Sequence, residues 1–128
     1  MLIDTSVIVR FFAKGSDWES LEDYVMNSVT LQIALDELGN ALSRKVRSSE
    51  MGLEDAADII ASYPSMAQVI GSSSYRKSAL DIAVKNNLSF YDSLFISAAV
   101  SEGTSLATCD RKQADVAEKL GVAVEYIK

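Results

Sequence analysis

Short apolar segments alternate with longer amphipathic segments along the whole of this 128-residue chain. Apolar residues at helical spacing indicate helices, and short apolar runs bounded by turn residues indicate buried strands. Strands separated by helices pair in parallel, because the connecting helices cover both faces of the sheet. The pattern therefore predicts an α/β fold, a three-layer sandwich with a parallel sheet in the middle. The predicted strands are 1–4, 30–33, 66–70, 105–108 and 122–127, and the predicted helices are 6–13, 17–27, 34–47, 53–63, 75–86, 90–102 and 111–120.

The length fits one domain, residues 1–128, with one sizeable core. Contents of 48% hydrophobic and 23% charged residues are ordinary for a soluble globular protein. No apolar run is long enough to span a membrane, and the first residues lack the pattern of a secretion signal. The one cysteine, Cys109, permits neither an internal disulfide nor a cysteine-built zinc site. These features predict a cytoplasmic protein.

The chain contains no histidine, which limits the chemistry that it can perform. Ser-His-Asp and Cys-His nucleophilic sites, histidine metal ligands and imidazole acid–base catalysis are all excluded. The net charge of −6 argues against bulk electrostatic attraction to nucleic acid. A divalent cation could still offset several acids at one site, so a local nucleic-acid site remains compatible with this charge.

Two acids follow predicted strands directly. Asp4 follows the first strand, and Asp110 follows the strand that ends at Thr108. Because ligands of open parallel sheets bind outside the carboxyl ends of the strands, both acids should project from the same edge. Each of them could instead simply cap the helix that follows it, since Asp is a favoured N-cap residue.

Two further acids lie on predicted helices. Asp92 falls on the same stripe as Phe95, Ile96 and Ala99, which points it toward the protein, although it could merely form a capping box with Ser89. Glu37 lies nearly opposite the apolar stripe of its own helix, so periodicity predicts that it faces solvent. That position is compatible with the wall of an open cleft but does not require one.

A cluster of carboxylates without His or Cys is a hard-oxygen site, which suits Mg²⁺ or Mn²⁺ better than zinc. Like charges brought together repel and raise one another's pKa unless a cation holds them ionised. Such ions usually keep several waters and act on phosphate substrates. The natural chemistry of this site is metal-assisted phosphodiester hydrolysis.

Four motifs resemble those of the PIN domain family, and specifically of the small VapC-type toxins of toxin–antitoxin pairs. They are LIDTSVIV at the start, Glu37 within ALDELGNAL, Asp92 within FYDSLFISAA and Asp110 within LATCDRKQADVAEKLGV. Each motif is weak alone, but four acids in this order, with these apolar flanks, make a fairly specific set. The resemblance spans essentially the whole chain. It implies a parallel five-stranded sheet between helices and Mg²⁺- or Mn²⁺-dependent cleavage of single-stranded RNA.

The resemblance also implies roles for individual residues. Asp4, Asp92 and Asp110 would hold the metal ion or its waters, and Glu37 would complete the acidic pocket. The candidates for hydroxyls that support the carboxylates are Ser6 and Thr108, and a candidate extra acid is Asp115, where an exposed helix residue is the more ordinary interpretation. Members of the family commonly form homodimers and bind an antitoxin protein whose C-terminal segment covers the cleft.

Three arginines are candidate contacts for RNA phosphates, namely Arg10, Arg44 and Arg111, although most basic residues are simply solvated surface charges. Two alternative functions stay open: a non-catalytic PIN-like module that binds RNA or protein, and an RNA-processing nuclease outside a toxin–antitoxin pair. A phosphatase of the haloacid dehalogenase type is disfavoured, because that class needs a second Asp two residues after the first, where this chain has Ser6.

Overall fold

Five short strands form a sheet at the centre of the molecule, whose computed structural model describes residues 1–128. The strands are β1 (Leu2–Ile3), β2 (Val29–Leu31), β3 (Gln68–Ile70), β4 (Leu106–Thr108) and β5 (Val124–Tyr126). They are arranged in the order β3-β2-β1-β4-β5, and every neighbouring pair is parallel. This arrangement confirms the predicted α/β fold with a parallel five-stranded sheet.

Seven helices connect the strands and cover the sheet. They are α1 (Thr5–Ala13), α2 (Trp18–Val25), α3 (Gln32–Arg47), α4 (Leu53–Ser62), α5 (Arg76–Asn86), α6 (Phe90–Glu102) and α7 (Arg111–Lys119). Short 3₁₀ turns lie at Tyr63–Ser65 and Ser73–Tyr75. Every predicted helix and strand is present, and their ends differ from the predicted ends by at most two residues. None of the helices has the length and apolar character needed to cross a membrane.

The strand order creates a crevice at the carboxyl edge of the sheet. From the central strand β1 the chain moves outward to β2 and β3, and then returns to add β4 and β5 on the other side of β1. The direction of winding therefore reverses between β1 and β4, which pair through Leu2 with Leu106 and through Ile3 with Ala107. In open parallel sheets, ligands bind at this reversal point, outside the ends of the strands.

Helix α6 is buried on nearly all sides, because it packs on the sheet and also against α5. All seven residues from Ser93 to Ala99 are buried. The two serines within this run do not leave unpaired hydroxyls: Ser93 Oγ donates to the carbonyl of Ser89 at 2.8 Å, and Ser97 Oγ donates to the carbonyl of Tyr75 at 2.9 Å. Hydrogen bonding of this kind removes most of the free-energy cost of burying a polar group. The helix thus gives a rigid base to the acid in its first turn, Asp92.

Candidate functional site

Asp4 lies at the reversal point, immediately after β1, and only 4% of it is exposed. Its Oδ1 accepts hydrogen bonds from Ser6 Oγ at 2.6 Å and from the backbone N–H of Val7 at 3.3 Å. Its Oδ2 contacts Thr108 Oγ1 at 2.7 Å. Asp4 therefore caps α1 through Oδ1, in agreement with the simpler interpretation of the sequence, while its Oδ2 contacts the last residue of β4.

The burial of Asp4 has an electrostatic consequence. Burial raises the pKa of Asp4 from its ordinary value of 3.8 to about 6, although the hydrogen bonds from Ser6, Thr108 and Val7 oppose the increase. The negative charge of Asp92 raises it a little further. A carboxylate held in this way lacks a counter-charge, and a cation bound beside it would restore the ionised form.

Asp110 follows β4 and caps α7, with its Oδ1 accepting from the backbone N–H of Gln113 at 3.0 Å. Its own backbone N–H donates to Thr108 Oγ1 at 3.0 Å. Because Thr108 also contacts Asp4, the two acids at the ends of β1 and β4 share one hydroxyl group. The second oxygen of Asp110 makes no hydrogen bond, so it is free to bind a ligand.

Asp92 lies half-buried in the first turn of α6, where its backbone N–H donates to Ser89 Oγ at 3.0 Å. Burial is the largest cause of the raised pKa of Asp92, and the charge of Asp110 adds to it. The charge of Asp92 in turn raises the pKa of both Asp4 and Glu37. The four acids are thus close enough for their charges to interact, with Asp92 as the common neighbour.

Glu37 differs from its predicted position, because it is half-buried rather than facing open solvent. The side of α3 that carries Glu37 lies against the first turn of α1, and Thr5 Oγ1 donates to Glu37 Oε1 at 2.7 Å. Burial raises the pKa of Glu37, while this hydrogen bond lowers it. Periodicity within α3 identifies the face toward the sheet, but it carries no information about a second helix packed on another face.

A groove of about 720 Å³ lies between α1 and α3, beside the four acids. Thr5, Ser6 and Glu37 line it at the acidic end, and Arg44 and Lys45 line it farther along α3. Asp4, Asp92 and Asp110 do not line the groove themselves, but chain neighbours of each of them do. The groove therefore leads up to the acids, and its lining carries the positive side chains of Arg44 and Lys45 as well as a further acid, Asp36.

The three candidate phosphate contacts have different surroundings. Arg10 is already engaged: it pairs with Asp17 and donates to the carbonyls of Ile127 and Lys128. Arg111 lies over the ring of Tyr126, 4.1 Å from the ring centroid. Arg44 is exposed on the groove and forms no ion pair. Of the three, Arg44 is the one whose charge is available to a ligand in the groove.

Asp115, the candidate extra acid, lies on the exposed face of α7 and makes no side-chain hydrogen bond. The structure does not bring it into the group that Asp4, Asp92 and Asp110 form. Its position agrees with the more ordinary interpretation of an exposed helix residue.

Two residues at the site went unrecognised in the sequence. Thr5 holds Glu37, and Gln113 contacts Thr108 and the backbone of Asp92. A signal existed for Gln113, because it occupies the apolar stripe of α7 together with Val116 and Ala117, and it is fully buried. A polar side chain in such a stripe indicates a hydrogen-bonding partner inside the protein. Thr5 gave no comparable signal, since a hydroxyl residue at a helix start is common.

The side chains at the site offer carboxylate and hydroxyl oxygens, which are the ligands that Mg²⁺ and Mn²⁺ prefer. The half-buried thiol of Cys109 is the one sulfur nearby, and no nitrogen ligand is present. No three His, Cys, Asp or Glu side chains, however, lie close enough together to hold an ion directly in the arrangement that the structure shows. Mg²⁺ is usually held by one or two carboxylates and keeps several waters, so this spacing suits a partly hydrated ion.

Several solved structures share this fold. PAE2754 from Pyrobaculum aerophilum is 24% identical, with a TM-score of 0.77 over 96% of this chain and 81% of that one. VapBC2 from Rickettsia felis, bound to a DNA fragment from its promoter, is 18% identical, with a TM-score of 0.67 over 99% and 98% of the two chains. A toxin–antitoxin complex from Klebsiella pneumoniae is 16% identical, with a TM-score of 0.63 over 88% of each chain.

At these identities the similarity establishes a shared fold. A search of curated proteins finds no significant match. The family model described as the PIN domain matches residues 1–119, which include all four acids and both strands that carry Asp4 and Asp110. This match covers most of the chain. The chain therefore belongs to the PIN domain family.

Proposed function

We propose that this protein is a divalent-metal-dependent endoribonuclease that cleaves single-stranded RNA and serves as the toxin of a toxin–antitoxin pair. The observation that carries the proposal is the placement of four acids from four separate segments at the carboxyl edge of the sheet. Burial raises the pKa of Asp4, Glu37 and Asp92, and the charge of a neighbouring acid of the group adds to each increase. Gathered carboxylates without a counter-charge are unfavourable unless a cation or a catalytic role compensates for them.

Asp4, Asp92 and Asp110 are the proposed ligands of Mg²⁺ or Mn²⁺ or of its waters. The ion would supply an activated water and neutralise charge on the scissile phosphate. Glu37, held by Thr5, would orient a water from the side of α3. Ser6 and Thr108 fix the orientation of the Asp4 carboxylate by hydrogen bonds to its two oxygens.

The groove between α1 and α3 is the proposed path of the RNA. Arg44 offers an unpaired charge to a phosphate farther along the groove from the acids, and Lys45 is the next residue of the same helix. Tyr91, which is 52% exposed and also lines the groove, offers an aromatic face beside Asp92. Aromatic rings and basic side chains along a groove are typical of surfaces that bind single-stranded nucleic acid. Arg10 and Arg111 would contribute less, because other residues of the chain already contact their guanidinium groups.

The partners proposed for this chain are an antitoxin protein and a second copy of itself in a homodimer. The structure from Klebsiella pneumoniae is a toxin–antitoxin complex and that from Rickettsia felis is VapBC2, and both share this fold over most of their length. Purification of the co-expressed protein with the product of a neighbouring reading frame would test the pairing. Recovery of an active ribonuclease that has no such partner would favour an RNA-processing role instead.

The decisive test of the activity compares the wild-type protein with Asp4→Asn. Asparagine keeps the shape and the cap of α1 but removes the charge, so cleavage of a single-stranded RNA with Mn²⁺ should fall at least 100-fold, the order of loss typical for a catalytic group. Asp115→Asn removes an acid that lies outside the group, and it should cleave at the wild-type rate. Equal cleavage by wild type and Asp4→Asn would rule the proposal out.

A non-catalytic module that binds RNA or protein is the second candidate, and the spacing of the acids favours it, because no three of them can hold an ion directly as they stand. That candidate predicts RNA binding without cleavage across titrations of Mg²⁺ and Mn²⁺. Cleavage that disappears when the metal is chelated and returns when it is restored would exclude it.

A further inference from the structure

Gln113 is fully buried and joins the segment that carries Asp110 to the segment that carries Asp92. It meets Asp4 only indirectly, through the hydroxyl of Thr108. Its backbone N–H donates to Asp110 Oδ1 at 3.0 Å. Its side-chain Oε1 lies 2.7 Å from Thr108 Oγ1, the hydroxyl that also contacts Asp4. Its Nε2 donates to the backbone carbonyl of Asp92 at 3.1 Å. This last contact decides which end of the Gln113 side-chain amide is the nitrogen, because a backbone carbonyl can only accept a hydrogen bond.

An apolar side chain at the position of Gln113 would be compatible with the fold. Gln113 lies on the buried face of α7 with Ala114, Val116 and Ala117, against the sheet. Burying an amide there costs free energy unless its hydrogen bonds are made, and it adds no more apolar contact than Leu or Met would. The amide instead spans the gap between the end of β4 and the first turn of α6. This link is the one feature that an apolar residue could not reproduce.

We propose that Gln113 is a positioning residue, which fixes the first turn of α6 against the end of β4 and so sets the distance of Asp92 from Asp4 and Asp110. The inference rests on the proposed function, since it concerns the binding of a divalent cation by those acids. Residues that orient metal ligands through hydrogen bonds typically change metal affinity 10- to 100-fold when they are replaced. Gln113 acts on the backbone of one acid and, through Thr108, on the side chain of another.

The test uses Gln113→Met, which keeps the length and volume of the side chain but removes both of its amide contacts. Titration of MnCl₂ into the protein without RNA, followed by calorimetry, should give an affinity about tenfold weaker than that of the wild type. RNA cleavage at limiting Mn²⁺ should fall by a similar factor and should recover when Mn²⁺ is raised, with the KM for RNA unchanged. Because a bound cation also stabilises a weakened fold, the folded fraction of Gln113→Met is measured by circular dichroism at each Mn²⁺ concentration. A fully folded variant with weaker Mn²⁺ affinity separates the positioning role from a loss of stability.

Val116→Ala is the matched control, since Val116 lies on the same buried face of α7 and makes no contact with the acids through hydrogen bonds. It should lower the unfolding temperature but leave the affinity of the folded protein for Mn²⁺ unchanged. A measurement on the wild type needs no variant: titration with Mg²⁺ should shift the NMR signals of the Gln113 side-chain amide, because that amide is joined to two of the acid-bearing segments.

The outcomes separate the inference from the function on which it rests. A wild type that binds Mn²⁺ and cleaves RNA, with Gln113→Met binding Mn²⁺ equally well or with Gln113 amide signals that Mg²⁺ leaves unmoved, overturns the inference and leaves the ribonuclease intact. A wild type that neither binds Mn²⁺ nor cleaves RNA overturns the proposed function, and the role of Gln113 with it. Weaker Mn²⁺ binding by Gln113→Met but not by Val116→Ala supports the inference, and cleavage of RNA by the wild type supports the proposed function.

Discussion

Thr108 Oγ1 lies 2.7 Å from Asp4 Oδ2, although the two residues are 104 positions apart in the sequence. The same hydroxyl lies 2.7 Å from Gln113 Oε1. Thr108 has a single proton to donate, so it can satisfy only one of these two acceptors fully at a time. Ionised Asp4 and the carbonyl of Gln113 therefore compete for one hydrogen bond. This competition weakens one of the hydrogen bonds that oppose the raised pKa of Asp4.

Asp4→Asn should relieve this competition and stabilise the metal-free protein at neutral pH. The asparagine Nδ2 can donate to Thr108, whose own proton is then free for Gln113, while Oδ1 continues to accept from Ser6 and Val7. The difference between a pKa of 3.8 in the unfolded chain and about 6 in the folded protein corresponds to about 3 kcal/mol. Thermal unfolding in the presence of EDTA should therefore show Asp4→Asn as the more stable protein at pH 7.

The pH dependence of that difference follows from the sign of the shift. Because the folded protein holds the proton of Asp4 more tightly than the unfolded chain, the contribution of Asp4 to stability is largest below about pH 4 and declines as the pH rises to about 6. The difference in free energy of unfolding between Asp4→Asn and the wild type should increase from pH 4 to pH 6 and stay constant above pH 6. Added Mn²⁺ should reduce this difference in free energy of unfolding, because it stabilises only the wild type. A gap independent of pH would contradict the raised pKa.

Thr5→Val should lower the rate of RNA cleavage without loosening the fold. Thr5 donates to Glu37 at the start of α1, and valine has nearly the same shape but cannot donate. Hydrogen bonds to charged groups contribute about 1.5–3 kcal/mol, so removing this one should leave Glu37 free to rotate and reduce kcat by about tenfold. Thr104→Val is a suitable control, because Thr104 makes no side-chain hydrogen bond and lies outside the groove. Equal rates for Thr5→Val and the control would show that Glu37 needs no support.

The order and ends of the elements could be read from the sequence, because apolar periodicity and turn residues are local signals. The strand pattern was also enough to predict that Asp4 and Asp110 leave the same edge of the sheet, since parallel strands end together. The half-burial of Glu37 could not be predicted from the sequence, because it depends on how α1 packs on α3. The partners of Arg10 were equally inaccessible: Asp17 and the last two residues meet it only in the folded chain.

Tyr63→Phe should leave the protein as stable as the wild type or raise its free energy of unfolding by up to about 1 kcal/mol. The side chain of Tyr63 is fully buried, and its hydroxyl is the one buried side-chain polar group that has no hydrogen-bond partner. The ring itself packs edge-on against Phe12, with 5.8 Å between the centroids, and phenylalanine keeps that contact. Tyr63→Ala, which removes the ring, should cost about 3–5 kcal/mol in urea unfolding. A loss of more than 1 kcal/mol for Tyr63→Phe would reveal a hydrogen bond at this hydroxyl.

Arg44→Ala should weaken the binding of single-stranded RNA and reduce its dependence on salt. Arg44 lines the groove beside Glu37, and it has no ion pair that would neutralise its charge within the protein. Each phosphate contact that is lost should lower the slope of log K against log salt by about 0.7 for a single strand.

Arg47→Ala is the matched control, because Arg47 lies on the same helix, is also exposed and does not line the groove. Binding measured by fluorescence anisotropy from 50 to 200 mM KCl, in EDTA to prevent cleavage, distinguishes the two. If both variants change the slope equally, the RNA is held by the general charge of α3 rather than by this groove, and the proposed path along α1 and α3 is wrong.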